Sequence, residues 1–222
     1  MTRYILARAR RVFKEQGWLA LLTKGMRFLK SDLLTVKYQT RFVYEHTIKE
    51  RDPADFMPDI QDFKSFIVRN NQQADELEAE GYEFRSHQDL ARMALDSGAV
   101  AFCIFIQGEL AHIGWVALTE EARRYVDNWP FKVDFNNAEA CTGNTLTIPK
   151  FRGKGLMKYG YYQRFEFLRK LGIQRSRNSV GTTNIAAQRV HAKFGPKIYA
   201  KIRYLKILTL ISWKEKPLTT DS

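Results

Sequence analysis

The sequence predicts an α/β fold: a mixed central sheet flanked by helices, with a helical extension before it. Three observations carry this. From about residue 62 onward, short apolar runs suited to strands alternate with segments whose apolar residues recur every three or four positions. The run Ala99-Val-Ala-Phe-Cys-Ile-Phe-Ile-Gln107 is almost continuously apolar, the pattern of a strand buried on both faces. Residues 4–34 instead carry a helical period between basic side chains.

In chain order, Ile5, Leu6, Ala9, Val12 and Phe13, then Trp18, Leu21, Leu22, Met26 and Leu29, recur at helical spacing, with interruptions near Gly17 and Gly25. Residues 1–45 therefore read as a basic amphipathic helical extension. Asp52-Pro53 and Met57-Pro58 put too many breakers into 50–62 for an element interior, so 46–62 reads as a linker. The main domain spans 63–215 and a tail 216–222. Its elements begin with a strand over 62–69 and helices over 71–80 and 87–96, the second stopped at Ser97-Gly98. The strand over 99–107 turns at Gly108-Glu109 into a strand over 111–118, making a hairpin. A strand over 138–148 contains Gly143 and Asn144, weak strand formers that mark a bulge. The loop Pro149-Lys-Phe-Arg-Gly-Lys-Gly155 follows, then an aromatic-rich helix to about residue 171, a strand over 173–180, a helix over 184–194, and strands within 197–213.

Composition narrows the function classes. With 45% hydrophobic residues in 222, the chain can fill a real core. Cys103 and Cys141 lack a CxxC partner, and the four histidines lack zinc-site spacing, so neither a disulfide scaffold nor a metal is expected. Arg8, Arg10 and Arg11 interrupt the N-terminal apolar positions, unlike a signal peptide, and a cytoplasmic location is expected. The net charge of +12 is uneven: residues 1–50 hold eleven Lys/Arg against four Asp/Glu. Such a segment suits an anionic surface. Trp18, Leu21, Leu22 and Phe28 beside those charges favour a membrane, at its inner face, over nucleic acid. The same helices also suit packing on the domain or on a second copy of the chain.

The loop holds the most chemistry. A strand, then Arg152-Gly153-Lys154-Gly155, then a helix can hold a phosphorylated ligand. The glycines let backbone approach closely, and the helix N-terminus offers unpaired N–H groups and partial positive charge. Neither the Walker pattern nor the dinucleotide GxGxxG spacing is present, and a plain basic turn has the same composition. Here the sequence resembles the GNAT superfamily, whose central motif is [Q/R]xxGx[G/A] after a strand. The corresponding segment is Thr147-Ile148-Pro149-Lys150-Phe151-Arg152-Gly153-Lys154-Gly155-Leu156-Met157. A second segment, Thr183-Asn184-Ile-Ala-Ala-Gln-Arg-Val-His191-Ala-Lys-Phe-Gly195, resembles the closing helix NxxAxxx[Y/H]xxxG of that family, one helix and one strand further on. Two positions depart: Met157 stands where a small residue is usual, and Pro196 where an aromatic is.

The resemblance implies a mostly antiparallel sheet and transfer of an acyl group, acetyl by expectation, from coenzyme A to a primary amine of a small molecule or peptide. It implies that backbone from Arg152 to Met157, including Gly153, Lys154, Gly155 and Leu156, cradles the pyrophosphate, while Leu146, Thr147 and Ile148 pair with the pantetheine arm. His191 matches a tyrosine that protonates the leaving thiolate, with Tyr159 and Tyr199 as alternatives, and a structural histidine packed at the strand–helix junction is the other reading of it. Glu139, ahead of Glu109 and Glu120, is the expected base. An N–H near Ile148 would meet the oxyanion, Asn184 is a coenzyme contact or helix cap, and Cys141 is an ordinary buried thiol. The competing reading is an inactive domain of this type that binds a membrane or nucleic acid through its basic extension.

Overall fold

The computed structural model describes residues 37–207 and 210–217 together with Trp18. The helical reading of residues 4–34 thus lies outside the described residues, Trp18 excepted. Strand order is β2-β3-β4-β5-β6-β1-β7-β8. The strands are β1 (Lys37–Thr47), β2 (Phe63–Val68), β3 (Val100–Ile106), β4 (Glu109–Ala117), β5 (Glu139–Thr147), β6 (Arg175–Gly181), β7 (Lys197–Ile207) and β8 (Leu210–Pro217). Residues Arg41–Ile202 cluster into one compact unit, and every contact described below lies within it.

β1 corrects the sequence reading, in which residues through 45 continued a helical extension. Its inner half, Phe42-Val43-Tyr44, is β-branched and aromatic, the composition that packs on a pleated surface, and Val43 is fully buried. It pairs antiparallel with β6 from Arg41↔Gly181 to Thr47↔Arg175, so it belongs to the sheet interior. Pairings β2–β3, β3–β4 and β4–β5 are antiparallel as well.

Alternation of side chains distributes two cores. Cys103 and Phe105 of β3 and Ile113, Trp115 and Ala117 of β4 join a cluster on one face with Ala74, Leu77, Leu95 and Ala122. These last residues come from α1 (Asn71–Ala79), α2 (Ala91–Asp96) and α3 (Glu120–Val126). On the other face Phe102, Val116 and Ala140 meet Tyr161, Phe165 and Leu168 of α4 (Leu156–Lys170). α5 (Ile185–Ala192) follows β6.

Local chemistry sets the helix ends. Asn70 caps α1 by accepting the Gln73 N–H at 2.9 Å. α2 starts later than residue 87 because His87 sits at φ 62°, a left-handed conformation that a right-handed helix excludes. α3 is absent from the sequence reading. Thr119 caps it, accepting the Ala122 N–H at 3.2 Å, but seven residues are too few for apolar periodicity to register.

Candidate active site

β5 is distorted where Gly143 and Asn144 predict a bulge. Ile113 pairs with Leu146 but Trp115 with Gly143, so β5 carries one extra residue, and Asn144 takes φ 42°. β5 also parts from its other neighbour. It pairs parallel with β6 at only three positions, Glu139↔Arg175, Ala140↔Ser176 and Cys141↔Arg177, although both strands continue.

The C-terminal end of α3 touches both strands just beyond their last pair. A Cβ on Gly143 would lie 2.5 Å from the Val126 carbonyl oxygen, so only glycine lets the helix end approach β5 this closely. Asn144 Nδ2 donates to the Tyr125 carbonyl at 3.2 Å. Asp127 faces β6: its Oδ2 accepts the Ser179 N–H at 2.7 Å, and the Ser179 hydroxyl donates to the same oxygen at 2.8 Å. A carboxylate thus takes backbone and side-chain hydrogen bonds from β6 just beyond the last β5–β6 pair. Burial pushes the Asp127 carboxyl above its ordinary value, while the Ser179 hydrogen bonds and the Arg41 charge pull the other way. Arg41 donates from Nε to Ser179 Oγ at 3.0 Å and lies over the Trp129 ring at 4.6 Å.

At the far end of β5 the chain turns through Pro149–Phe151 into the glycine loop. Gly153 has φ 79° with open space where a Cβ would stand, and Gly155 has φ 74° as the N-cap of α4. No side chain caps this helix, so its first N–H groups remain for a ligand. Arg152 donates to the Thr147 carbonyl at 3.2 Å, and Lys150, a third departure, which stands first in the motif where Gln or Arg is usual, pairs with Glu109. Leu156 is buried and Met157 half-buried against the apolar core, which gives both side chains a packing role while their amides stay in the first turn. Backbone and charge here fit a pyrophosphate.

Beneath the sheet on the α4 side lies a buried polar network. His191 hydrogen-bonds His46 Nε2 through Nδ1 at 3.0 Å and Asn178 Nδ2 through Nε2 at 3.2 Å, and its ring stacks on Tyr44. The fully buried Arg164 donates to the Gly160 carbonyl at 3.0 Å and to Thr145 Oγ1 at 3.1 Å, with Tyr161 under its guanidinium at 3.7 Å. His112 contacts Thr147 Oγ1 at 2.8 Å. Burial, and secondarily the Arg164 charge, lower both His112 and His191 to about 3. Four buried atoms here have no protein partner: His46 Nδ1, His112 Nε2, Arg164 Nη2 and Asn178 Oδ1.

The structure corrects the expectations for His191, Glu139 and Ile148 and keeps Asn184 as a helix cap and Cys141 as a buried thiol. His191 is fully buried with both ring nitrogens engaged, so it presents no nitrogen to a departing thiolate. Glu139 sits in the closed part of the β5–β6 pair, 2% exposed, with Oε1 on Arg175 at 2.9 Å and Arg177 at 3.3 Å and Oε2 on the Asp134 N–H. Eight residue-to-residue steps of strand, on the order of 27 Å at full extension, separate it from Thr147. Its two guanidinium partners make it an ion-pair anchor. The Ile148 N–H donates to the Ala111 carbonyl of β4, away from the parting. Asn184 caps α5, accepting the Ala187 N–H at 3.1 Å. Cys141 is fully buried and its thiol is pushed well up.

The structure therefore brings Leu146, Thr147, Ile148, Arg152, Gly153, Lys154, Gly155, Leu156 and Met157 together at one end of β5, and leaves Glu139 at the other. Asp127, Ser179, Asn178, Arg164 and His46 escaped the sequence reading. Arg164 alone left a signal, a charged residue among the apolar Tyr161, Phe165 and Leu168 of its helix. Near Glu139 a cleft of about 590 Å³ opens, lined by Glu120, Phe131, Asp134, Arg177 and Tyr199 among others. Among the described residues, no group of three or more His, Cys, Asp or Glu could hold a metal, and no helix is long and apolar enough to cross a membrane.

The sequence pattern of the acetyltransferase (GNAT) family matches residues 65–195. No curated protein sequence matches the chain. Among solved structures, a tandem GNAT protein of the clavulanic acid biosynthesis pathway is similar at 16% identity and a TM-score of 0.50, over 87% of this chain and 59% of that one. The GCN5-related glucosamine N-acetyltransferase region of a fungal multi-domain β-N-acetylglucosaminidase is similar at 10% identity and a TM-score of 0.50, over 86% of this chain and 23% of that one. A putative acetyltransferase from Novosphingobium aromaticivorans follows at 12% identity and 0.49, over 83% and 68%. The structural likenesses concern the fold, and the family match covers more than half of the chain. With the strand–glycine loop–helix at one end of a parted parallel strand pair, the chain belongs to the acetyltransferase (GNAT) family.

Proposed function

We propose that the chain transfers an acyl group, acetyl in the usual chemistry of the family, from coenzyme A to a primary amine of a small molecule or peptide. The observation that carries this reading is the coincidence of an uncapped helix N-terminus behind Gly153 and Gly155 with the β5 edge left open by β6. The amides that open α4, reinforced by Arg152 and Lys154, hold the pyrophosphate. The pantetheine arm lies along β5 from Thr147 inward, adding to its open edge as an extra strand would. Amine nitrogen attacks the thioester carbonyl carbon, the carbon–sulfur bond breaks, and the thiolate leaves with a proton. The acceptor reaches the reacting centre from the α3 face, where the cleft beside Glu120 and Asp134 offers carboxylates to a cationic amine.

The basic extension attaches the enzyme to an anionic membrane surface in this reading, because its lysines and arginines alternate with Trp18 and leucines. Calorimetric titration of the full chain with coenzyme A tests the donor site, and thiol release from acetyl-CoA in the presence of primary amines tests the transfer. A folded chain that binds no coenzyme A would overturn the reading.

A further inference from the structure

Resting on that acyl-transfer reading, we propose that Ser179 and Asp127 form the path by which the acceptor amine loses its proton. The hydroxyl of Ser179 takes a proton from the ammonium while passing its own to the Asp127 carboxylate.

Position is the first argument. The amine must meet the thioester where β5 and β6 part, just beyond Cys141↔Arg177, and Ser179 is the β6 residue two positions past that last pair. Asp127 bridges from there to β5: its Cβ would lie 3.1 Å from a Cβ on Gly143, and its carboxylate holds the Ser179 N–H at 2.7 Å. The second argument is hydrogen-bond valence. Ser179 Oγ spends its one proton on Asp127 and one lone pair on Arg41 Nε at 3.0 Å. A hydroxyl has two lone pairs, so one remains for an N–H of the substrate. The carboxylate is fixed in turn by the Trp129 N–H at 3.2 Å.

Surroundings suit a proton acceptor. Asp127 and Ser179 are each 8% exposed, which shields them from bulk water. The charged and titratable groups that face the carboxylate are Arg41 from β1 and Cys141 from β5, while Arg123 of the preceding helix donates to the Asp127 backbone carbonyl at 3.1 Å. Burial outweighs the Arg41 charge, which raises the basicity of the carboxylate toward that needed to deprotonate an amine. The balance is simple. The ammonium gives one proton through Ser179 to Asp127 and becomes a neutral amine. After attack and carbon–sulfur cleavage, the second amine proton ends on the coenzyme thiol.

The test uses the full chain, acetyl-CoA, and lysine, glucosamine and putrescine as probe amines, with thiol release as the readout. D127N keeps both Ser179 contacts, its amide oxygen accepting the Ser179 N–H and its amide nitrogen donating to Ser179 Oγ, and gives up the acceptor of the Trp129 N–H. It should lower kcat by about 10²-fold or more, leave coenzyme A affinity unchanged by calorimetry, and remove the acid limb of the kcat/KM profile. S179A leaves the backbone N–H on Asp127 and should also lower kcat, while S179T, which keeps the hydroxyl, should recover part of it. A D127N enzyme with the wild-type rate and pH profile overturns the proposal. So does S179A with full turnover, which also decides the matter if D127N does not fold. A wild-type chain that releases no thiol would overturn the acyl-transfer reading, and this proposal with it.

Discussion

At the scale of single residues, the site divides into backbone chemistry and buried side-chain chemistry. Gly155 belongs to the first: at φ 74° an L side chain is strained, and its Cβ would meet Pro58 Cα at 3.2 Å. G155E also brings a carboxylate to the loop proposed to hold the pyrophosphate, so coenzyme A affinity should fall about 100-fold or more by calorimetry, which corresponds to the loss of about 2.7 kcal/mol. The circular dichroism spectrum should stay native. His191 belongs to the second. H191A would leave a cavity and strip His46 Nε2 and Asn178 Nδ2 of their partner, costing on the order of 3 kcal/mol in urea unfolding. The histidines also predict a pH dependence. His112 and His191 fall to about 3 on folding, below the 6.5 of the free side chain, so the unfolded chain binds more protons between those values. Their stabilisation is fully present above about pH 6.5 and is lost as pH falls toward 3. Urea midpoints should therefore drop from pH 7 to pH 4, and less steeply in H112N.

At the scale of elements, α3 acts as a wedge. Seven residues with a Thr119 cap end at the point where β5 and β6 separate, and the helix terminus contacts both strands through Val126, Asp127 and Tyr125. G143A tests the wedge: the added methyl would overlap the Val126 carbonyl, a backbone atom that moves only with the helix. The expected cost is about 1–3 kcal/mol in denaturant unfolding. Loss of coenzyme A affinity should accompany it if the helix end shapes the opening. An unchanged midpoint would mean that α3 is free to shift.

For the whole molecule, the placement of β1 revises where an extension can be removed. The strand starts at Lys37 and pairs with β6 from Arg41 onward, so a truncation through residue 45 would strip β6 of a partner strand. Deleting 1–36 should leave coenzyme A binding intact and abolish co-sedimentation with anionic liposomes, which in the full chain should weaken as salt rises. Deleting 1–45 should give insoluble protein. Liposome binding that survives the shorter deletion would place the membrane contact elsewhere.

The sequence by itself determined what depends on neighbours along the chain. The glycine loop between a strand and a helix, the bulge at Gly143-Asn144, the cap at Asn184 and the apolar run that becomes β3 are local, and all were legible. Tertiary structure decided what depends on residues far apart. Asp127 and Ser179 are 52 positions apart, and His46 and His191 are 145 apart. No spacing rule links such pairs, because their contact is created by strand order and by a parallel pair that stops after three residues. For the same reason Glu139, expected from its place on the central strand, and His191, expected from its place in a motif, are held in an ion pair and in a buried hydrogen-bond network. A motif fixes where backbone goes, whereas the role of a titratable side chain depends on which partners the fold brings to it.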